Sequence, residues 1–465
     1  MMPRYAFLIF SAVVLICGAL SGCKEKAGDP LPLDLFFTAD TSGRIEPCGC
    51  FTGQFGGLTR ISTHLKKNDP AAPESIRLEI GNTIAGTADY EVLQFKHLLE
   101  AAAALNYRAV NLGGREAALS AETLRELAEK SPVPLLSANI LNADSGEPIA
   151  TPFLVTKQGE LKVGLVGVVS PQSLKSEPGE GVRVAGMTET LRKILLEVGP
   201  QADVLVCLAF ADDLELESLA KEFYEFAVIL GGDVRQPYPS PLSINRSQVL
   251  ATTNQARALA EFHAKFDPGT KQLIEPEGTV TLMEDLIEED PVIRQFSTNY
   301  RDEVAKVILA IDNPEGDSAD RVPGVKPPAT YVGSEACAGC HPKAYEVWSK
   351  TGHAHAFDSL NYRDSKMDPS CVKCHVVGFG EPGGYLRSMA EERKLINVGC
   401  ESCHGPGSEH VKVRSTASPG EEVLLKMRPV GSGQCTQCHY GEFSRPFNWE
   451  EFWPHIQHFK ESEMK

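Results

Sequence analysis

The chain has 465 residues, enough for two or three ordinary domains, and 42% of them are hydrophobic, which allows large cores and argues against wholesale disorder. Its formal net charge of -17 lacks the basic footprint of nucleic-acid-binding proteins, so the composition excludes a nucleic-acid partner. Thirteen cysteines are present, and their placement is more informative than their number.

The first 23 residues are typical of a bacterial export signal. A basic residue stands at position 4, residues 5–20 form an apolar run that is short for a membrane span, and small residues follow. Leu20-Ser-Gly-Cys23 then resembles a bacterial lipobox. The resemblance implies removal of a signal peptide of residues 1–22 and lipidation of Cys23, which would anchor the protein in the cell envelope, on the periplasmic side of a membrane or at the outer membrane. Residues 23–32 form the expected tether, and an uncleaved anchor helix is the alternative.

Strand-like apolar runs alternate with helical stretches between residues 33 and 283. The expected strands are 33–39, 76–80, 109–112, 134–140, 161–169, 202–210, 226–231, 248–254 and 259–267. Amphipathic helices are expected at 117–130 and 188–198. This alternation predicts an α/β domain in which helices cover a sheet.

A change of composition follows this region. Residues 284–313 predict one helical segment that is rich in charge. Residues 314–329 contain four prolines and two glycines with few apolar residues, a composition typical of a linker. We therefore expect a separate last domain over residues 330–465.

The last domain contains four copies of the motif Cys-x-x-Cys-His. The cysteine pairs are Cys337 and Cys340, Cys371 and Cys374, Cys400 and Cys403, and Cys435 and Cys438, and the histidines are His341, His375, His404 and His439. Two thiols at this spacing can each bond a haem vinyl group, and the following histidine can bind the iron as its proximal ligand. Zinc or disulfides are the alternatives, but a zinc site does not require a histidine after every second cysteine. The sequence predicts four covalently bound haem c groups.

Five further histidines lie among these motifs. They are His353, His355, His410, His455 and His458. Their density is far higher than in the first 325 residues, which hold only His64, His97 and His263, so we expect axial iron ligands among them. Iron with two histidine ligands transfers electrons, whereas iron without a sixth ligand can bind a small molecule.

The segments around the motifs resemble the tetrahaem cytochrome c of nitrifying bacteria. The resemblance rests on 331–341, Thr351-Gly-His-Ala-His-Ala-Phe357, Cys374-His-Val-Val-Gly378, 398–410 and Phe452-Trp-Pro-His-Ile-Gln-His458. It implies a mainly α, haem-packed domain in which His353 and His410 are distal ligands. His458 fits the terminal ligand, with His455 as the alternative. The resemblance further implies one five-coordinate haem, for which the Cys371–His375 motif is the candidate unless His355 or His455 caps it.

The first domain resembles the metallophosphoesterase domain of bacterial 5'-nucleotidases. The landmarks, in family order, are 38–44, 56–60, Gly81-Asn82, 113–116, 136–139 and 229–235. The resemblance implies an α/β sandwich. Those enzymes bind two metal ions through Asp and His residues at these landmarks.

This chain departs from the metal-binding pattern. Asp40 retains the first aspartate, but the other ligand positions hold Ser42, Asn82, Gly114-Arg115, Phe210, Asp233 and Arg235. No histidine is left at these positions, so we expect no metal there, and the arginines are candidates to occupy the metal space. The crevice beyond the strand ends is then a site for an anion, or for nothing.

Cys48 and Cys50 lie in a loop shortly after Asp40, in the sequence Glu46-Pro-Cys-Gly-Cys50. The loop is similar to one in related exported phosphoesterase-like lipoproteins. A redox-active thiol pair, a soft-metal ligand pair and a plain disulfide all fit this spacing.

Three functions are consistent with these patterns. The favoured one is an electron-transfer lipoprotein that exchanges electrons with periplasmic or membrane redox proteins. The second is an oxidoreductase that acts on a small molecule at a five-coordinate haem or at the Cys48/Cys50 loop. The third is a phosphoester hydrolase, acting on nucleotides, with a fused cytochrome.

Overall fold

A computed structural model describes most of the chain after the export signal. The described residues are 29–47, 54–69, 71–252, 255–311, 329–386, 394–417, 426–440 and 447–458. The predicted signal peptide, Cys23, the Cys48/Cys50 pair and most of the predicted linker lie outside them. Among the helices within these ranges, none is long and apolar enough to cross a membrane.

Two layers of strands form the centre of the first domain. The strands are β1 Leu31–Thr38, β2 Ile76–Glu79, β3 Tyr107–Asn111, β4 Leu135–Leu136, β5 Ile140–Asn142, β6 Phe153–Gln158, β7 Leu161–Val169, β8 Val182–Val184, β9 Val204–Phe210, β10 Phe226–Gly231, β11 Leu242–Ile244, β12 Ser247–Ala251, β13 Ala258–Asp267 and β14 Gln272–Leu282. One six-stranded sheet has the order β14-β13-β1-β2-β3-β4, and the other has the order β11-β12-β10-β9-β7-β6. Each has a parallel centre with antiparallel strands at its edge, and β5 pairs with β8 separately.

Helices cover both outer faces of this sandwich. They are α1 Leu58–Asn68, α2 Asp89–Ala104, α3 Ala121–Lys130, α4 Met187–Val198, α5 Asp213–Glu222 and α6 Pro291–Ile311. Leu35, Phe37 and Leu165 belong to the core between the sheets, whereas Phe36 on the opposite face of β1 packs under the helices of the first sheet. Because central strands are buried on both faces, they are apolar along their whole length, which explains why they were predictable from the sequence.

Two elements differ from the sequence-based expectation, each because of one polar side chain. The expected strand 134–140 is split into β4 and β5 by Asn139, whose amide donates to the carbonyls of Val169 and Ala185. The expected helix 284–313 begins only at Pro291, because the Asp290 carboxylate accepts the Val292 amide at its start. Helices α1, α2 and α5 and strands β6, β8, β11 and β14 were not among the elements expected from the sequence.

The last domain is built from short helices. They are α7 Glu335–Ala338, α8 Pro342–Ser349, α9 Pro369–Val372, α10 Cys400–His404, α11 Ser408–Thr416, α12 Ser432–Cys435 and α13 Trp449–Phe452, with 3-10 helices at Gly352–Met367 and Trp453–His455. A buried carboxylate, Glu401, accepts the backbone amides of Val332, Gly333 and Gly407. These hydrogen bonds hold the first residues of the domain against the third haem motif.

One amide joins the two sheets of the first domain. The fully buried Asn111 at the end of β3 donates from Nδ2 to the carbonyls of Ile80, Val168 and Leu208, at 2.8, 3.0 and 3.2 Å. These carbonyls belong to the strand ends of both sheets, at the edge where the crevice lies.

The replacement Asn111→Leu removes this donor and leaves buried carbonyls unpaired, so we expect it to lower the free energy of unfolding by about 3 kcal/mol. The exposed Asn299→Leu is the matched control and is expected to change it by less than about 0.5 kcal/mol. Urea unfolding followed by far-UV circular dichroism measures both. Equal stabilities of the two variants would contradict this role for Asn111.

Candidate haem sites and the first-domain crevice

Each haem motif of the last domain forms a single helical turn. The amide of His341 donates to Cys337 O, and that of His439 donates to Cys435 O, at 2.9 and 2.8 Å. In the second motif the Cys374 amide donates to Cys371 O at 3.2 Å. A turn of this kind brings two cysteines at positions i and i+3 to the same side of the backbone. Two-point attachment of a haem would use two cysteines on one side of such a turn.

Three motif histidines each face another histidine. The ring centroids of His341 and His410 are 6.4 Å apart. Those of His439 and His353 are 5.9 Å apart, as are those of His404 and His458.

These separations can be compared with the spacing expected for two imidazoles that bind one haem iron. A transition-metal–imidazole bond is about 2 Å long and the ring centroid lies roughly 1 Å beyond the nitrogen, so two imidazoles on one iron have centroids about 6 Å apart. All three facing pairs agree with this value, so the residues present fit the group. Burial lowers the pKa of His353 and His404, which favours the neutral imidazole that a metal needs.

The fourth motif histidine, His375, has a different environment. Its Nδ1 lies 2.6 Å from Ala356 O, so this nitrogen carries the proton and donates. That hydrogen bond leaves Nε2 as the free ligand atom, as is usual for metal-binding histidines. Within the described part of the chain no ring-to-ring contact brings a second histidine opposite His375. The two remaining candidates, His355 and His455, are both exposed.

Contacts between cysteine side chains give the spatial order of the motifs. Cys337 of the first motif is in hydrogen-bonding contact with Cys400 of the third. Cys374 of the second is in the same contact with Cys438 of the fourth. The third and fourth motifs adjoin as well, because α10 packs on α12. The order in space is therefore first, third, fourth, second, which the sequence did not reveal.

A cavity of about 1000 Å³ lies between the haem motifs and the first domain. His353, His375 and His439 line it on one side. Helix α6 and residues 43–47 line it on the other. The second haem motif therefore faces the first domain across this space. Sequence reasoning missed the α6 residues here, because nothing in their local pattern distinguishes them from other helix residues.

The first-domain crevice is occupied by an ion pair. Arg115 Nη1 donates to Asp40 Oδ1 at 2.6 Å and also to the Ser42 hydroxyl. Its backbone amide donates to Asn82 Oδ1 at 2.8 Å. Asp40, Ser42 and Asn82 all have positive φ, at 50°, 51° and 56°, a backbone conformation that is uncommon outside glycine and that Asp and Asn adopt more readily than most residues. Burial raises the pKa of Asp40 to about 6, against the lowering effect of Arg115.

These residues do not fit the two metal ions of the phosphoesterase family. A guanidinium cannot ligate a cation, yet Arg115 holds the one aspartate that is retained. The buried Phe210 ring lies within 3.1 Å of where side chains at Gly81 and Gly232 would begin, so it fills the space at the strand ends. Asp233 is half-buried and Arg235 is exposed. No described cluster of three His, Cys, Asp or Glu residues is arranged to hold a metal.

Two buried glutamates beneath the crevice were missed by the sequence reasoning. Glu116 accepts the backbone amides of Asn82, Ile84 and Gly113. Glu79 accepts the hydroxyls of Thr38 and Thr41, at 2.5 and 2.7 Å. The signal available for Glu79 was a lone acidic residue in an apolar strand, since a buried acid needs such partners.

Comparison with known proteins agrees with this geometry in the last domain. A family model described as "Cytochrome c554 and c-prime" matches residues 336–405. Cytochrome c-554 of Nitrosomonas europaea is 39% identical over 145 residues, covering 26% of this chain and 61% of that protein. The last domain is therefore similar to cytochrome c554. This similarity implies covalently bound haem c in the last domain.

Other relatives match the first domain. The 2',3'-cyclic-nucleotide 2'-phosphodiesterase/3'-nucleotidase of Salmonella typhimurium is 28% identical over 176 residues, covering 33% of this chain and 27% of that protein. The structure of a 5'-nucleotidase precursor from Thermus thermophilus superposes with a TM-score of 0.51 at 21% identity, covering 61% of this chain and 60% of that chain. The first domain therefore has a 5'-nucleotidase-like fold. The predicted fold, an α/β sandwich followed by a helical haem domain, is confirmed. The chain spans less than two thirds of each of these three proteins.

Glu79 makes the stability of the first domain depend on pH. Burial raises its pKa from 4.5 to about 8. The folded state therefore holds a proton that the unfolded state releases above pH 4.5, so the stabilisation is complete below that pH. It is lost as the pH rises toward 8, by about 1.4 kcal/mol per pH unit.

In Glu79→Gln the side chain cannot ionise, so we expect the loss of stability between pH 5 and 8 to become shallower than in the wild type. Thermal unfolding at several pH values measures this. The exposed Glu160→Gln is the control and should retain the wild-type slope. Parallel pH profiles for Glu79→Gln and the wild type would count against a protonated Glu79.

Proposed function

We propose that the protein is an exported, membrane-anchored c-type cytochrome with four haems that relays electrons between periplasmic redox partners. The observation that carries this proposal is the set of three facing histidine pairs, His341 with His410, His439 with His353 and His404 with His458. Haem supplies one-electron chemistry when it is bound. The paired imidazoles would hold both axial positions of an iron bound between them, which would leave no position for a substrate at these three sites.

The order of the motifs supports a relay. The contacts Cys337 with Cys400 and Cys374 with Cys438, together with the packing of α10 on α12, give one continuous row from the first motif to the second. Electrons that enter at one end pass along neighbouring sites. The two ends of the row are the sites where partner proteins or a small molecule would exchange electrons.

The end at His375 differs in ligation from the other three. Its Nδ1 hydrogen bond to Ala356 O orients Nε2 as a proximal ligand. We assign the five-coordinate haem of the family to this motif, because neither His355 nor His455 makes a ring-to-ring contact with His375 among the described residues. A small molecule that binds this haem would receive or give electrons through the row.

The location and the first domain complete the proposal. The lipobox ending in Cys23 supports a lipid anchor, which would keep the haems beside membrane redox partners. The ion pair of Arg115 with Asp40 supports a first domain without phosphoesterase activity. Boundaries near residues 283 and 330 remain our proposal for the division of the chain.

Replacing His410 tests the ligand pairs. We expect His410→Ala to convert one low-spin haem to high spin, because the iron held by His341 loses its second imidazole. Electron paramagnetic resonance of the full-length oxidised protein counts the low-spin signals. His455→Ala is the matched control, since the exposed His455 should leave the count unchanged. An unchanged spectrum for His410→Ala, or a change for His455→Ala, would overturn the assignment.

A thiol oxidoreductase is the second candidate. Pro47 and Gln54, which flank the segment with Cys48 and Cys50, both line the cavity that His375 lines. The described residues on either side of the thiol segment therefore border the haem cavity, which supports the thiol oxidoreductase as a candidate.

The double variant Cys48→Ser/Cys50→Ser tests this candidate. If the pair is redox-active, the full-length protein should lose a two-electron step from a reductive titration, while the haem content and the haem potentials are unchanged. Coulometric titration with pyridine haemochrome analysis measures these quantities. Cys207→Ser is a control for thiol number, since Cys207 is buried within β9. Equal electron counts for the double variant and the wild type would rule the thiol function out.

A further inference from the structure

The cavity beside the second haem motif has a wall that the cytochrome domain does not supply. Helix α6 and residues 43–47 of the first domain face the segment that carries Cys371, Cys374 and His375. Helix α6 also contacts the Gly352–Met367 helix directly. The chemistry of this wall is therefore part of the environment of that motif.

Tyr300 on α6 presents a buried donor to this cavity. Its side chain is 1% exposed, and its ring packs edge-on against His97 at 6.2 Å, which holds the ring in place. The phenol oxygen has no hydrogen-bond partner within the described part of the chain. Burial raises the pKa of Tyr300, so the hydroxyl keeps its proton and can donate. A buried hydroxyl without a hydrogen-bond partner lowers the stability of the folded state by about 1–3 kcal/mol. We therefore expect the Tyr300 hydroxyl to find an acceptor in the cavity.

Arg301 adds a positive charge next to Tyr300. Its Nη2 donates to Glu46 Oε2 at 2.5 Å, and that pair fixes the guanidinium along the wall. Its Nε is buried and lacks a hydrogen-bond partner among the described residues. Arg44 lines the same wall, so two cations and a hydroxyl donor face the cavity together.

The acidic groups that line the same cavity have hydrogen-bond or ion-pair partners of their own. Glu46 is engaged by both Arg301 and Arg294. Asp368, on the opposite wall, accepts the Ser370 amide at 2.9 Å. Tyr300 Oη and Arg301 Nε remain as buried donors without a partner among the described residues, so the wall is complementary to an anion with oxygen acceptors.

We propose that Tyr300, Arg301 and Arg44 form an oxyanion site in which the first domain holds a carboxylate or a small oxyanion beside the haem of Cys371 and Cys374. This inference rests on the proposed function, because it requires a haem at that motif. Two sources supply the same chemistry, a propionate of the haem itself and a small oxyanion that enters the cavity. In either case the first domain acts as a wall of the haem site and not as a hydrolase.

The test uses full-length holoprotein with Tyr300→Phe and Arg301→Gln. Tyr300→Phe removes only the donor and keeps the shape of the side chain. The 56% exposed Tyr224→Phe is the matched control. Spectroelectrochemical titration gives the midpoint potential of each haem, and titration with nitrite, followed in the Soret band, gives the affinity for a small oxyanion. Pyridine haemochrome analysis and circular dichroism establish that haem content and fold are intact.

Each source predicts a different result. If the acceptor is a haem propionate, Arg301→Gln lowers the midpoint potential of one haem, because a cation beside it is lost, and Tyr300→Phe shifts the same haem. If the acceptor is a small oxyanion, nitrite binds the wild type and Tyr300→Phe weakens it about tenfold or more, since a hydrogen bond to a charged group contributes at least about 1.5 kcal/mol.

Unchanged potentials and unchanged nitrite binding in both variants would overturn the oxyanion site. Such a result leaves the electron relay intact if all haems still titrate reversibly. Loss of reversible titration in the wild type would instead contradict the proposed function. Tyr224→Phe should match the wild type in every measurement, and a shift there would likewise contradict a site-specific role for Tyr300.

Discussion

The fold of the last domain depends on pairs of imidazole rings that lie opposite each other. His341 and His410 belong to segments far apart in the chain, as do His404 and His458, yet their ring centroids lie 6.4 and 5.9 Å apart. The described part of the domain has mostly short helices and a small core around Phe357, Val377 and other apolar residues. A fold with so little apolar burial depends on bonds to its cofactors, as small metal-containing domains do.

The first domain, in contrast, has a large apolar core. Its core lies between two sheets and under helices on both faces, so its fold does not require the metals that its relatives bind. Arg115 holds Asp40, and the Phe210 ring fills space at the strand ends. Asp40 and Asn82 nevertheless keep left-handed backbone conformations, the kind of strain that persists where a surrounding structure enforces it. The backbone shape of the crevice is thus retained, but an ion pair and an aromatic ring lie in it.

Helix α6 connects these two halves. It packs on α2 and α1 in the first domain and contacts the Gly352–Met367 helix of the haem domain. Tyr300 and Arg301 lie on the side that lines the cavity. This placement would let the first domain act on a haem through hydrogen-bond donors and charge at close range, as proposed above.

The sequence by itself determined the features that reside in local patterns. These are the eight cysteines and four histidines of the haem motifs, the apolar strands of the sandwich and the missing phosphoesterase ligands. Tertiary structure decided that His353 faces His439, that Asn139 lies in the break between β4 and β5, and that Tyr300 lines the cavity beside the haem motifs. The physical reason is that each of these features depends on contacts between residues distant in the chain. Such contacts leave no periodicity or motif spacing in the sequence.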